Sequence, residues 1–262
     1  MKTNSYPKVT LIGAGPGDPD LITVKGIKAL QKANVILYDA LVNRDLLKYV
    51  SKRAVKIFVG KRSGCHTYLQ DEINELIVKN AFEFGNVVRL KGGDPFIFGR
   101  GAEEVDYIAS FGIETEVISG ISSAMAVPAN QGISLTKRGV AESFWVITGT
   151  TSEKKLSNDV YLAAQSTATV VILMGMRKLK EIVAVFKKFN KSNVPIAIIQ
   201  NGTTVNEKVG LGTINTIVEV VEHQKLDSPA IIVIGEVVKE SSKLRSFYEM
   251  STLKFFSPIE ND

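Results

Sequence analysis

Runs of β-branched and aliphatic residues alternate with amphipathic segments along most of the chain. Short apolar runs bounded by turn residues read as buried strands, whereas apolar positions recurring every three to four residues read as helices packed on one face. Strands are expected at Val9–Ile12, Val35–Tyr38, Lys56–Val59, Val87–Leu90 and Glu114–Ile118. A second set is expected at Phe144–Thr148, Thr169–Leu173, Ile196–Ile199, Val209–Leu211 and Ala230–Ile234. The clearest helix lies between Thr67 and Phe84, where Leu69, Ile73, Leu76, Ile77, Ala81 and Phe84 share a stripe. Thr67 and Gln70 have capping-box spacing, and Gly85 stands where a helix ends. A further helix is expected from Ala102 to Phe111, stopped by Gly112.

Strands alternating with helices define an α/β protein with largely parallel strands. From Ser119 to Gly132 the chain is rich in small residues, which marks a boundary. The expected organisation is therefore two α/β domains, 1–118 and 119–240, followed by a tail over 241–262 that lacks the strand–helix rhythm.

Composition narrows the field. At 262 residues, 45% hydrophobic and 23% charged, the chain has the make-up of an ordinary globular protein. No apolar run approaches the roughly 20 residues needed to cross a bilayer, and the N-terminus lacks a secretory apolar core. A cytoplasmic protein with no membrane partner is expected. Cys65 is the single cysteine, so no intrachain disulfide forms. Neither His66 nor His223 sits in a metal-ligand spacing, and no metal is expected. The net charge of +5 suits an acidic ligand. Its scattered distribution, without clustered basic residues, argues against nucleic acid.

Candidate chemistry concentrates in loops after strands. Leu90-Lys91-Gly92-Gly93-Asp94-Pro95-Phe96-Ile97-Phe98-Gly99-Arg100-Gly101 is a glycine-rich strand-to-helix connection, a place where main chain can approach a ligand directly. Asp94 there either accepts hydrogen bonds from a ligand or simply forms a turn ahead of Pro95. Gly13, Gly15 and Gly17 also follow a strand. Asp18 and Pro19 replace the remainder of a dinucleotide fingerprint, which argues against nicotinamide binding. Asp39 ends a strand-like run and so falls at the usual ligand crevice of an α/β sheet. The alternative is a solvated loop aspartate. Lys61 and Arg62 follow another strand, and a solvated basic loop is their alternative. Met174 is either core filler or a contact residue.

Taken in order, these strings carry a resemblance. Val9 to Pro19, Val35 to Val42, Val59-Gly60-Lys61-Arg62 with Gly64 and His66, and Leu90 to Gly101 form its first half. Ser119-Gly120-Ile121-Ser122-Ser123-Ala124, Leu173-Met174-Gly175-Met176, Asn201-Gly202-Thr203 and Pro229 to Gly235 form its second. Over about residues 8 to 237 the chain resembles the tetrapyrrole methyltransferases that use S-adenosylmethionine. The resemblance implies a cofactor-binding cleft between the two domains, with S-adenosylhomocysteine as the spent cofactor. It assigns cofactor contacts to Pro16, Gly92, Gly93, Asp94, Ile97, Ser122, Ser123, Met174 and Gly202. It makes Asp39 the proton acceptor and Lys61 the proton donor, and places His66 on the substrate side.

The substrate so implied is uroporphyrinogen III, methylated at carbons 2 and 7 to precorrin-2 for sirohaem or cobalamin synthesis. A later corrin intermediate is the alternative. Arg62, Arg100, Arg138 and Arg177 lie in or beside the motif loops and suit the substrate's carboxylates. A homodimer is implied as well. Any dehydrogenase or chelatase step is expected from separate proteins. Two departures bear on the substrate side: Ser119-Gly120-Ile121-Ser122 stands where the family often has Pro-Gly-Ile-Thr, and Thr136-Lys137-Arg138 where Thr-His-Arg is usual.

Overall fold

The computed structural model describes residues 6–60 and 68–244. The chain divides into two compact units, residues 1–122 and 123–262. The first unit runs β1 (Lys8–Gly13), α1 (Val24–Lys32), β2 (Val35–Tyr38), β3 (Val55–Phe58), α2 (Gln70–Phe84), β4 (Asn86–Lys91), α3 (Gly101–Ala109) and β5 (Glu114–Ile118). Its sheet has the order β3-β2-β4-β1-β5, and each neighbouring pair is parallel.

A parallel sheet needs cover on both faces, which is why its strands read as continuous apolar runs. Leu11, Leu37 and Val87 pack with Ile73 and Ile77 of α2 and Ile108 of α3. Ile12, Ile36, Val88 and Leu90 face the other way, onto Leu30 of α1. β1 and β4 are neighbours, yet the chain leaves them toward opposite edges, to β2 and β5 respectively. Such a divergence leaves a crevice beyond the carboxyl ends of the two strands.

The expected strands appear with shifts of a residue or so at their ends. The start of α2 differs from expectation. It begins at Gln70, and the Leu69 N–H donates to Glu72 Oε2 at 2.6 Å. A carboxylate three residues in therefore closes this helix end; Thr67, half of the expected capping box, lies outside the described residues. Gly85 does end the helix, at φ 83°, with its N–H donating to Ala81 O.

The second unit runs α4 (Ser123–Asn130), β6 (Phe144–Thr148), α5 (Asp159–Gln165), β7 (Thr169–Leu173), α6 (Leu179–Lys188), β8 (Pro195–Gln200), β9 (Lys208–Thr213), α7 (Ile217–Gln224) and β10 (Ala230–Ile234). The sheet order is β6-β7-β10-β8-β9. Only β6 and β7 run parallel in it; β10 is antiparallel to both neighbours, and β8 to β9. The expectation of largely parallel strands thus fails in this half. Its physical reason is the short connection from Gln200 to Lys208, which has no helix to carry the chain back and so must fold as a hairpin. One face of the sheet packs Ile172, Ile198 and Ile232 against Ile182 and Phe186 of α6. The other packs Val171, Ala197, Ile199 and Val233 against Ala124 and Val127 of α4. Residues 245–262 of the expected tail lie outside the described residues.

Candidate functional site

The loops beyond β1, β4 and β5 meet at the end of the first sheet. Ala14 N donates to Lys91 O at 2.7 Å, and Gly15 and Gly93 exchange N–H···O bonds of 3.2 and 2.7 Å. The backbones come together without side chains between them. A Cβ on Gly13 would lie 2.6 Å from Gly93 O, and one on Gly120 would lie 2.6 Å from the carbonyl carbon of Gly13.

The paired glycines of β4's loop differ from each other. A Cβ on Gly92 would fall 2.6 Å from Leu41 Cβ, so this position is already filled from inside the protein. Gly93 has φ +66°, and a Cβ there would meet nothing nearer than Ser122 Cα at 4.0 Å. A side chain would thus have room at Gly93 and none at Gly92. Gly92→Val is expected to lower the unfolding temperature through a clash with Leu41. Gly93→Val is expected to lose cofactor affinity as well as paying the left-handed backbone penalty of about 1–2 kcal/mol. Thermal unfolding and calorimetry of the two variants check this contrast.

Asp94 does more than turn the chain. Its Oδ1 accepts from Phe96 N at 2.8 Å and its Oδ2 from Gly120 N at 3.0 Å, tying the loop after β4 to the loop after β5. Each carboxylate oxygen keeps further acceptor capacity. Phe96, Ile97 and Phe98 follow, each roughly half exposed. Phe98 and Arg100 both adopt positive φ, 53° and 58°. Such strain in bulky residues collects where the surrounding structure over-determines a loop, as at ligand sites. Pro16 is half-buried in the neighbouring loop.

Asp39 sits at the carboxyl end of β2, with its side chain 26% exposed. Its Oδ1 accepts from Leu41 N at 3.1 Å, and its Oδ2 lies 3.7 Å from Arg89 Nη2. Arg89 belongs to β4, beside Leu11 of β1 and Leu37 of β2 in register, and faces α2 and α3. There Glu104 of α3, fully buried, accepts at Oε1 from Arg89 Nε (3.3 Å), Lys91 Nζ (2.8 Å) and Gln70 Nε2 (3.1 Å). Glu104 Oε2 has no hydrogen-bond partner among the described residues. Burial pushes the Lys91 ammonium below its ordinary pKa, and the Arg89 charge adds to that; Glu104 and Asp39 pull the other way. Sequence reasoning missed this group. Arg89 and Lys91 at alternating positions of an otherwise apolar strand were the signal, since two cations on one buried face require a counter-charge.

In the second unit Met174 ends β7 at φ 55° and is 52% exposed, and its carbonyl accepts from Thr150 Oγ1 at 2.9 Å. It is not core filler. Gly202 is buried, and a Cβ there would lie 2.6 Å from Val127 Cγ2, so close packing on α4 demands this glycine. Asn201 and Thr203 on either side adopt positive φ. Glu207 Oε2 holds this strained turn by accepting from Thr203 N at 2.7 Å and from Asn130 Nδ2 at 3.1 Å. Ser122 and Ser123 are half-buried at the start of α4.

The expected arginines have varied surroundings. Arg100 is ion-paired to Glu103 through Nε and Nη2. Arg138 and Arg177 are exposed, Arg138 in the turn between Lys137 and Ala141, Arg177 just beyond β7. His223 is exposed at the end of α7. Lys61, Arg62 and His66 lie outside the described residues. Among the described residues no cluster of acidic, histidine or cysteine side chains could hold a metal ion, and no helix is long and apolar enough to cross a membrane.

Residues 8–218 match the family described as tetrapyrrole (corrin/porphyrin) methylases, and the chain belongs to that family. Within it, the chain is similar to the uroporphyrinogen-III C-methyltransferase of Methanocaldococcus jannaschii, 48% identical over 233 residues, covering 88% of this chain and 96% of that protein. It is also similar to the siroheme synthase of Actinobacillus pleuropneumoniae, 44% identical over 97% of this chain but only 52% of that longer protein. Among solved structures, the uroporphyrin-III C-methyl transferase of Thermus thermophilus, complexed with S-adenosylhomocysteine, superimposes with a TM-score of 0.76 at 33% identity. That match covers 88% of this chain and 99% of that one.

Proposed function

We infer that the chain is an S-adenosylmethionine-dependent C-methyltransferase that converts uroporphyrinogen III to precorrin-2 by methylation at carbons 2 and 7. The observation that carries the reading is the 48% identity to a uroporphyrinogen-III C-methyltransferase over 96% of that protein, and the open space beside Gly93 accords with it. A side chain at Gly93 would fill the very cradle a ligand needs, so the residues present fit the cofactor. Gly93, Asp94, Pro16 and Ile97 of the first unit would hold it, with Ser122, Ser123, Met174 and Gly202. Gly92 and Gly202 serve by packing the loops that carry their neighbours. When bound, S-adenosylmethionine supplies a methyl group already electrophilic on a sulfonium.

The protein's own share is alignment and proton handling. Holding a pyrrole carbon in line with the methyl group supplies much of the rate. The ring must then lose a proton, and the Asp39 carboxylate, partly exposed at the sheet end, is the acceptor in this reading. Lys61 is its proton-donating counterpart in this reading, with His66 and Arg62 as substrate-binding residues. Arg100, Arg138 and Arg177 would bind carboxylates of the substrate. Arg100 then exchanges Glu103 for a substrate carboxylate. A cytoplasmic homodimer completes the proposal.

The test is anaerobic incubation with uroporphyrinogen III and S-adenosylmethionine, followed by absorbance and mass. Addition of two methyl groups is expected. Failure to methylate, or methylation only of a later corrin intermediate, would overturn the reading. Because exposed arginines act through screened charge, the Michaelis constant for the tetrapyrrole is expected to rise with salt while cofactor affinity changes little. A salt-independent constant in steady-state assays would remove the arginines from substrate binding.

A further inference from the structure

The buried charges under Asp39 are costly, and the first sheet has no packing need for them. An aliphatic residue at position 89 would match Leu11 and Leu37 beside it. Instead Arg89 is 4% exposed and spans two carboxylates of opposite situation. On its inner side Nε reaches Glu104, which is wholly buried; on its outer side Nη2 reaches Asp39, which is in contact with solvent. Nη1 donates to Leu90 O, so the guanidinium is held in one plane by three different partners. A guanidinium presents donors in a rigid fork, so fixing Nε by Glu104 also fixes where Nη2 points. Lys91 neutralises Glu104 from the other side at 2.8 Å, which leaves Arg89 charge to spare for Asp39.

We propose that Arg89, clamped by Glu104, is a positioning residue that fixes the orientation of the Asp39 carboxylate at the end of β2. This rests on Asp39 being the proton acceptor of the proposed reaction. The device differs from direct catalysis, since Arg89 is buried beneath Asp39 and acts on the reacting atoms only through it.

The experiment is a double-mutant cycle on the full chain. Turnover, S-adenosylhomocysteine affinity by calorimetry and unfolding temperature are measured for Arg89→Lys, Arg89→Gln, Asp39→Asn and Arg89→Lys with Asp39→Asn. Lysine keeps the buried charge opposite Glu104 and loses only the fork, so it guards against loss of the fold. Arg89→Lys is expected to lower turnover about tenfold with cofactor affinity kept, and Arg89→Gln to lower it further. On the Asp39→Asn background, Arg89→Lys is expected to cost nothing more, because a residue acting through another is non-additive with it. Multiplying losses, or parental turnover in both Arg89 variants, would overturn the proposal and leave Asp39 as the acceptor. Parental turnover in Asp39→Asn alone would instead overturn the acceptor role itself.

Discussion

Asp39→Asn is expected to reduce turnover by roughly 10²–10⁴-fold, the usual share of a general base, while S-adenosylmethionine affinity and the unfolding temperature stay near parental. The carboxylate is roughly a quarter exposed, and its one hydrogen bond within the described residues runs from Leu41 N to Oδ1. Asparagine preserves that acceptor, so the turn after β2 survives. What disappears is the negative charge opposite Arg89 and the ability to take a proton. Alignment can contribute more than proton transfer, so the variant should retain slow activity rather than none. Because two methyl groups are added in sequence, the slow product should include a singly methylated species, visible by mass. Turnover of the purified variant beside the parent, with calorimetry for the cofactor, decides the matter. Lost cofactor binding would place Asp39 among the binding residues.

Much of this architecture could be read from the chain because strands buried on both faces are continuous apolar runs. Val35–Tyr38, Thr169–Leu173 and Ala230–Ile234 occur with the expected ends. Direction was less accessible. Val209–Leu211 was visible as a strand, but its pairing with Ile196–Ile199 depends on the length of the connection between them. The glycines show another limit. A missing Cβ either leaves open space, as at Gly93, or makes room for a neighbouring side chain, as at Gly92 against Leu41 and Gly202 against Val127. The two causes leave the same letter in the sequence. Asp94 likewise proved to be both turn-former and cross-loop clamp. The charged group beneath Asp39 was missed because Arg89 and Lys91 belong to β4 and Glu104 to α3, and the packing of that helix on the strand is not written in either segment alone. Only the register of β4 against β1 and β2 brings them together.

Glu104 carries the largest expected effect on stability. It stands between two buried cations, and among the described residues the only other negative group paired with either is Asp39 at the rim. Removing one partner of a buried ion pair typically costs about 3–5 kcal/mol, because the remaining charge is stranded in a medium that solvates it poorly. Glu104→Ala is therefore expected to destabilise the first unit by that amount or to prevent folding at physiological temperature. Lys91→Met is expected to be far milder. It removes a cation whose pKa burial already depresses, and it leaves Glu104 bonded to Arg89 and Gln70. Combining Lys91→Met with Glu104→Gln should recover much of the loss from Glu104→Ala, since one buried charge of each sign is then absent and the shape is kept. Chemical unfolding of the three variants tests the ordering. If Glu104→Ala unfolds at the parental denaturant concentration, the cluster is solvated well enough that its charges need no partner, and the clamp on Arg89 loses its physical basis.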